Sequence, residues 1–386
     1  MRMIGDPLAF PDKISLYFHI PFCKHKCGYC HFYVLPDQEE AKQQLAEGFQ
    51  LEWDLLQPYL VNKKIATLYF GGGTPSLFGP SRIASLLALV RQTCSLMPFA
   101  EITLEVNPEN VTLELMQAYA EAGINRVSLG VQTLDPHLLT LLGRLHRPEV
   151  ALEAIHTTYQ AGIRNISVDL MYDLPKQTLD HWATTLRLIK TLPLRHLSLY
   201  NLTIEPHTLF FKKQDQLRPL LPNEDTSLAM YEMAMEQLEE IGLQRYEISA
   251  FAQLSYESQH NTGYWIGRPF LGLGPSAFSY WEGRRFRNVA HLGRYCQALK
   301  KGQFPRDFEE QLDQEAQHRE LFVIHLRLRQ GVEMQRFIHQ HGPLDQATQT
   351  TLNRLIEEDY ICWQQSDLQL TPKGVLFYDT VAAELI

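Results

Sequence analysis

Short runs rich in β-branched and aromatic residues recur through the first half of the chain: Ser15–Ile20, Ala66–Phe70, Ile102–Val106, Arg126–Val131, Ile166–Met171 and His196–Tyr200. Between them lie stretches with helical period, namely Gln43–Gln57, Ser81–Thr93, Leu113–Ala122 and Pro148–Ala161. Strands that alternate with helices predict parallel βαβ units and an α/β fold. Six such units are too few to close an eight-stranded barrel. They suit an open, partial (β/α)6 barrel, and equally a doubly wound sheet. In either case ligands gather at the carboxyl ends of the strands.

After His196–Tyr200 the rhythm breaks. Arg218-Pro-Leu-Leu-Pro-Asn223 reads as a linker, with Asn223 capping a helix that runs to about Ile241. Glycine- and aromatic-rich sequence follows as far as Tyr280, and Lys300–Pro305 reads as a second linker. From Gln311 to Ile386 the pattern predicts helices with a short terminal hairpin, a small helical or winged-helix-like module. A length of 386 residues is enough for about two to three domains. The expected division is a partial barrel over 1–216, an extension over 217–305 and a C-terminal module over 306–386.

Composition narrows the class. Hydrophobic residues make up 45% and charged residues 20%, which excludes wholesale disorder. A net charge of −9 argues against a large nucleic-acid surface, and the C-terminal module has no basic recognition helix. Packing or partner docking is its expected role. No apolar run approaches the ~20 residues of a membrane-spanning helix. Met1–Ile14 contains Asp6, Pro7, Pro11 and Asp12 and no apolar core, so no signal peptide is expected. A reducing, cytoplasmic setting follows, with at most peripheral membrane contact.

Of the six cysteines, Cys94, Cys296 and Cys362 are scattered, while Cys23, Cys27 and Cys30 fall together directly after the first strand. A loop there can curl three thiolates around one object, and thiolates are soft ligands for zinc or iron–sulfur clusters. Three ligands on a cubane leave one iron open to a small chelating molecule. A structural zinc completed by His25 or His31, or three unpaired thiols, are the other readings of the triplet taken alone. Zinc sites usually pair two separated ligand clusters, and the sequence has no second one of that kind.

Cys-x3-Cys-x2-Cys with an aromatic residue before the last cysteine, placed after a first barrel strand, resembles the radical S-adenosylmethionine (SAM) superfamily. Tyr17-Phe-His-Ile-Pro-Phe-Cys23, Gly71-Gly-Gly-Thr-Pro75, Glu105-Val-Asn-Pro108 and Gly130-Val-Gln132 narrow the resemblance. They look like the oxygen-independent coproporphyrinogen III oxidase-like family, which includes the HemW-like heme chaperones. The resemblance covers about residues 13 to 300 and continues more weakly to the end. It implies a partial radical-SAM barrel, a 4Fe-4S cluster on Cys23, Cys27 and Cys30, and SAM on the fourth iron.

Each further motif has a plainer reading beside the one the resemblance implies. Gly71-Gly-Gly-Thr-Pro75 ends the second strand, where absent side chains let backbone approach a ligand; it would equally serve as a turn. The resemblance implies that Gly72, Gly73 and Thr74 hold the amino group of SAM. Glu105, at the end of the third strand, can accept hydrogen bonds from ribose hydroxyls. Gln132 and Asp169 can reach the same face, and Arg144 can pair with a ligand carboxylate. Each alone is more often an ion pair, a cap or a solvated group. The family pattern places them near SAM together with Tyr17 and Tyr29. His260-Asn-Thr-Gly-Tyr-Trp265 resembles the chaperones' His-Asn-x-x-Tyr-Trp signature, which makes His260, Asn261, Tyr264 and Trp265 candidates for heme contact. A structural histidine beside core aromatics is the alternative.

Within the family, the oxidase pattern has a fourth cysteine two residues after the third and a long segment before the cluster loop. Here Phe32 takes the cysteine's place and only 22 residues precede Cys23. Leu142-Gly-Arg-Leu-His146 and the His260 motif also side with the chaperones. Three positions depart from the chaperone pattern: His31 replaces an Asp, Asp173 a Gly and Phe278 a His. The expectation is a heme chaperone that carries a SAM-coordinated cluster and passes heme to an acceptor protein. If radical chemistry is retained, SAM cleavage to a 5′-deoxyadenosyl radical requires a flavodoxin- or ferredoxin-like electron donor. The alternatives are an oxygen-independent coproporphyrinogen III oxidase and a structural zinc protein. A monomer or a dimer is compatible with the sequence.

Overall fold

The computed structural model describes residues 13–386. The expectation of no signal peptide in Met1–Ile14 falls almost wholly on residues 1–12, outside the described residues. The predicted strands are present and slightly longer than their apolar runs. They are β1 (Lys13–Ile20), β2 (Lys64–Gly72), β3 (Ser95–Val106), β4 (Arg126–Gln132), β5 (Asn165–Tyr172) and β6 (His196–Asn201). All run parallel, and their order in space is their order in the chain. A doubly wound sheet reverses direction at a switch point. This one does not, so the fold is the open partial barrel.

Strand alternation explains where the chemistry sits. Pairing aligns Ser15 with Thr67, Thr67 with Glu101, Thr103 with Arg126, Ser128 with Ser167, and Asp169 with Ser198. These polar residues share the inner face, although nearly all are buried. Leu16, Phe18, Leu68, Phe70, Leu104, Leu129 and Val168 occupy the alternate positions and point outward beneath the helices. α1 (Glu39–Leu60), α2 (Pro80–Thr93), α3 (Leu113–Ala122), α4 (Pro136–Leu142), α5 (Pro148–Gln160) and α6 (Leu179–Ile189) supply that cover. They bury Phe49 and Trp53, Ile83 and Leu87, Met116, Ile155, and Trp182 in one continuous core. Internal hydrogen bonds satisfy part of this polar lumen, although Thr103 Oγ1 and Arg126 Nε have no hydrogen-bond partner. Ser167 lies 2.8 Å from His196 Nδ1, and Ser128 Oγ donates to Asp169 Oδ1 at 3.2 Å.

Asn223 caps α7 (Glu224–Glu239), its side chain accepting from Thr226 N at 2.9 Å. β7 (Gln244–Glu247) and β8 (Ala250–Ala252) then extend the sheet antiparallel beyond β6. The chain crosses to the opposite edge through α8 (Gln259–Trp265), and β9 (Phe270–Leu273) pairs in parallel with β1, Gly272 opposite Tyr17. β10 (Phe278–Trp281), β11 (Arg284–Asn288) and β12 (Arg306–Gln311) continue antiparallel, with α9 (Leu292–Lys300) between the last two. Among the described residues the sheet therefore has twelve strands, and the glycine- and aromatic-rich stretch supplies part of them.

From Gln314 the chain has a second core built on Phe322, Phe337, Leu355, Ile361, Leu368 and Val381. α10 (Gln314–His325), α11 (Met334–His341) and α12 (Gln346–Glu357) pack with a hairpin, Ile361–Gln364 and Asp367–Leu370, and two short terminal helices. Among the described residues no helix is long and apolar enough to cross a membrane.

Candidate functional site

β1 ends at Ile20, and the chain turns through Pro21 into a two-residue strand, Phe22–Cys23, paired with Leu35–Pro36. The loop between these two strands carries Cys27 and Cys30. It is pinned from both sides: Gly28 N donates to Leu142 O at 3.2 Å, and Phe210 N donates to Gly28 O at 2.9 Å. All three cysteines are unpaired, and they line one cavity of about 410 Å³. Cys23 Sγ lies 3.5 Å from Thr74 Oγ1, and Arg144 Nη1 points at Cys27 Sγ from 3.6 Å. Burial pushes the Cys23 thiol up to about 11 and raises Cys30 as well. Binding a metal there would therefore expel protons.

The trio fits a polynuclear centre by its donor chemistry and by its placement on one cavity wall. Among the described residues no three His, Cys, Asp or Glu side chains converge as a single metal ion requires. The remaining wall is polar. Gly72, Gly73, Thr74, Glu105, Gln132, Arg144, Asp169 and Tyr29 all line it; most come from strand ends or the loops beyond them, Asp169 from within β5 and Arg144 from just after α4. Gly72 N donates to Glu105 Oε2 at 3.2 Å, Gly73 N to Ile20 O at 2.9 Å and Thr74 N to Phe22 O at 2.7 Å. With these donors spent, the glycine turn has carbonyl oxygens to offer a ligand, which suits an ammonium and not a phosphate.

Glu105 is half-buried at the cavity wall, and Tyr69 donates to its Oε1 at 2.8 Å. Burial, reinforced by Asp169, pushes Glu105 up to about 7 against the pull of those hydrogen bonds; burial likewise raises Asp169. Two carboxyl groups held above their usual range favour a neighbour that is cationic or donates hydrogen bonds. Arg144 donates to Asn107 Oδ1 at 2.8 Å and to Gly130 O at 2.5 Å, while its buried Nε has no partner. Asn107, Ser128, Tyr200 and Asn201 also line the cavity, and sequence reading did not single them out. For Asn107, Tyr200 and Asn201 the position at the ends of β3 and β6 was the available signal; Ser128 lies inside β4.

Tyr17 lies apart from this group. It lines a second, larger cavity of about 590 Å³, walled by His19, Tyr33, Tyr264, Trp265, Phe270, Phe278 and Tyr280, with Arg268, Arg285 and Arg287 among its cations. His31 and Phe32 line both cavities and so border each of them. Tyr264 and Trp265 face the second cavity; His260 and Asn261 do not line it. His260 is buried behind Tyr264. Its Nδ1 is 2.7 Å from Thr67 Oγ1 and its Nε2 2.7 Å from the Tyr264 hydroxyl. An iron bonded through Nε2 would have to displace Tyr264. The helix that carries the motif starts on Glu101, whose carboxylate accepts from Gln259 N and His260 N at 3.0 Å each.

Known proteins resemble this chain in sequence and fold. Residues 17–189 match the model of the radical SAM superfamily, and residues 312–377 match the HemN C-terminal domain. A protein named heme chaperone HemW from Bacillus subtilis is 33% identical over 95% of this chain and 97% of its own length. The protein of the same name from Escherichia coli is also 33% identical, with the same coverage. A radical S-adenosyl methionine domain-containing protein 1 from Danio rerio is 37% identical over 69% of this chain and 60% of its own. The solved coproporphyrinogen III oxidase (HemN) of Escherichia coli, a radical SAM enzyme, superposes with a TM-score of 0.85 at 22% identity, covering 99% of this chain and 93% of that one. The fold is thus that of a radical SAM protein. Within that superfamily the chain belongs to the HemW family.

Proposed function

We propose that the chain is a HemW-like heme chaperone: it binds heme in the aromatic cavity and passes it to an acceptor protein. The observation that carries this reading is the pair of cavities with a common wall, one lined by three thiols and the other by aromatic rings and arginines. A tetrapyrrole is a flat apolar ring with carboxylates at one edge. A cavity of about 590 Å³ with this lining lies within the size range of ligand pockets. The relatives' name supports the same cargo.

Cys23, Cys27 and Cys30 hold a 4Fe-4S cluster in this reading, and the glycine turn, Glu105, Gln132, Asp169 and Arg144 receive SAM. When bound, the cluster supplies an open iron for the amino and carboxylate groups of SAM and a source of one electron. The chain's own part is to keep that iron beside the polar lumen and to separate it from the heme by His31 and Phe32. In the division of labour we infer, residues 1–216 carry cluster and SAM and residues 217–305 most of the aromatic cavity. Residues 306–386 close it through Glu320, Leu321 and Ile324 and dock the acceptor. The setting is cytoplasmic.

The test uses anaerobically purified, reconstituted protein. Heme is titrated by absorbance, and coproporphyrinogen III turnover is assayed on the same sample. Saturable heme binding without porphyrin product is expected. Multiple turnover to protoporphyrinogen would replace the chaperone by the oxidase.

A further inference from the structure

We propose that His31 ligates the iron of the bound heme, an inference that rests on the heme-chaperone reading. Three histidines lie in or beside the aromatic cavity, and two are already committed. His260 spends both ring nitrogens on Thr67 and Tyr264 and does not line the cavity. His19 lines it, but its Nδ1 is 3.0 Å from the Tyr17 hydroxyl and its Nε2 3.2 Å from Tyr33 O.

His31 is exposed to both cavities, and its ring rests on that of Phe32 at 4.6 Å. No hydrogen bond engages either of its nitrogens among the described residues. The cavity wall contains no Met or Cys, so imidazole and phenol are the only iron-binding side chains with affinity for heme that it offers. Of the four phenols, Tyr17, Tyr33 and Tyr264 are each hydrogen-bonded to a protein group, which leaves Tyr280 as the competitor of His31 that the test must separate.

His31 follows Cys30 directly, so the loop that would hold the cluster also presents the ligand to heme.

The experiment measures ferric heme binding to the full chain by its Soret band and by electron paramagnetic resonance, at matched iron and sulfide content. His31→Ala should weaken heme binding at least tenfold and lose the histidine-ligated spectrum, and added imidazole should restore that spectrum. His260→Ala should leave the ligation spectrum unchanged. The proposal is overturned if His31→Ala keeps the wild-type spectrum and affinity, if the histidine signature disappears in His260→Ala instead, or if the wild-type spectrum is that of a tyrosinate ligand and is lost in Tyr280→Phe. If the wild-type protein itself shows no saturable heme binding, the chaperone reading fails, which is a separate result.

Discussion

The Tyr264 hydroxyl and His260 Nε2 are 2.7 Å apart, and their hydrogen bond closes a buried chain that fixes the protonation of the ring. Thr67 donates its proton to Ser15 Oγ at 2.9 Å, so Thr67 Oγ1 accepts from His260 Nδ1–H, and Nε2 accepts from Tyr264. Burial, aided by Arg268 and Arg126, pushes His260 down to about 3. The unfolded chain would protonate this histidine near 6.5. The neutral ring therefore contributes stability that is complete above pH about 6.5 and is lost as pH falls toward 3, by about 1.4 kcal/mol per pH unit. Denaturant titrations of wild type and His260→Gln between pH 7 and 4 should show the variant's curve to be flatter by that slope.

Glu52 runs the other way. It comes from α1 and accepts from Tyr295 at 2.6 Å, Asn288 Nδ2 at 2.6 Å and Gly274 N at 2.8 Å, fastening the barrel to the extension. Burial pushes it up to about 7 in spite of these bonds. Between pH about 4.5 and 7 the folded state binds more protons than the unfolded one, so stability falls as pH rises through that window, by about 3 kcal/mol in all. Above pH 7 the loss is complete. The Glu52 and His260 slopes oppose each other in wild type. Glu52→Gln should therefore unmask the acid-side loss, seen as a steeper decline in denaturant midpoint below pH 6.5.

The cluster loop depends on a residue that carries no side chain. A Cβ on Gly73 would sit 2.7 Å from both Phe22 O and the Pro21 carbonyl carbon, which are backbone atoms with no room to yield. Gly73→Ala is expected to cost about 1–3 kcal/mol by overpacking and to push Phe22–Cys23 off its position. Iron and labile sulfide per chain should fall below half of wild type in Gly73→Ala and to background in Cys27→Ser. Full iron and sulfide in Cys27→Ser would remove that thiol from the ligand set.

The six barrel strands and most of the cysteine-cavity wall were legible because both follow short-range rules: alternation marks a strand, and the residues just past its end face the ligand. β9 was not legible. It is four residues long, contains Gly272, and gains its stability from β1, to which it is adjacent only in the folded chain. Tyr17 and Tyr69 pack against each other, yet Tyr17 opens into the aromatic cavity, a distinction that strand position alone does not make. Asp173 shows a departure with its compensation. Its φ of 59° lies where glycine is favoured, and its carboxylate accepts from Asn201 at 2.5 Å and from Ser227. Those two bonds offset the backbone strain, and neither donor is near it in sequence.

Arg268 offers the sharpest test of how the aromatic cavity reads its cargo. Three arginines line that cavity, and two are already neutralised. Arg285 pairs with Glu310 at 2.6 Å and Glu320 at 2.8 Å, and Arg287 with Asp307 at 2.9 Å. Arg268 makes no ion pair among the described residues; its Nη1 donates to Gln259 O at 3.1 Å and Ser15 Oγ at 3.4 Å. Burial lowers its pKa against the pull of Glu101, the mark of a guanidinium short of solvent. A heme carboxylate would give it a hydrogen-bonded charge partner. A charge-assisted hydrogen bond of about 1.5–3 kcal/mol corresponds to roughly tenfold to hundredfold in affinity. Arg268→Gln should weaken heme binding by that factor and leave the binding of heme dimethyl ester, which has no carboxylate, close to that of wild type. Equal losses for heme and its ester would mean that Arg268 acts only through the backbone of α8, and the carboxylate edge would then have to face a different wall of the cavity.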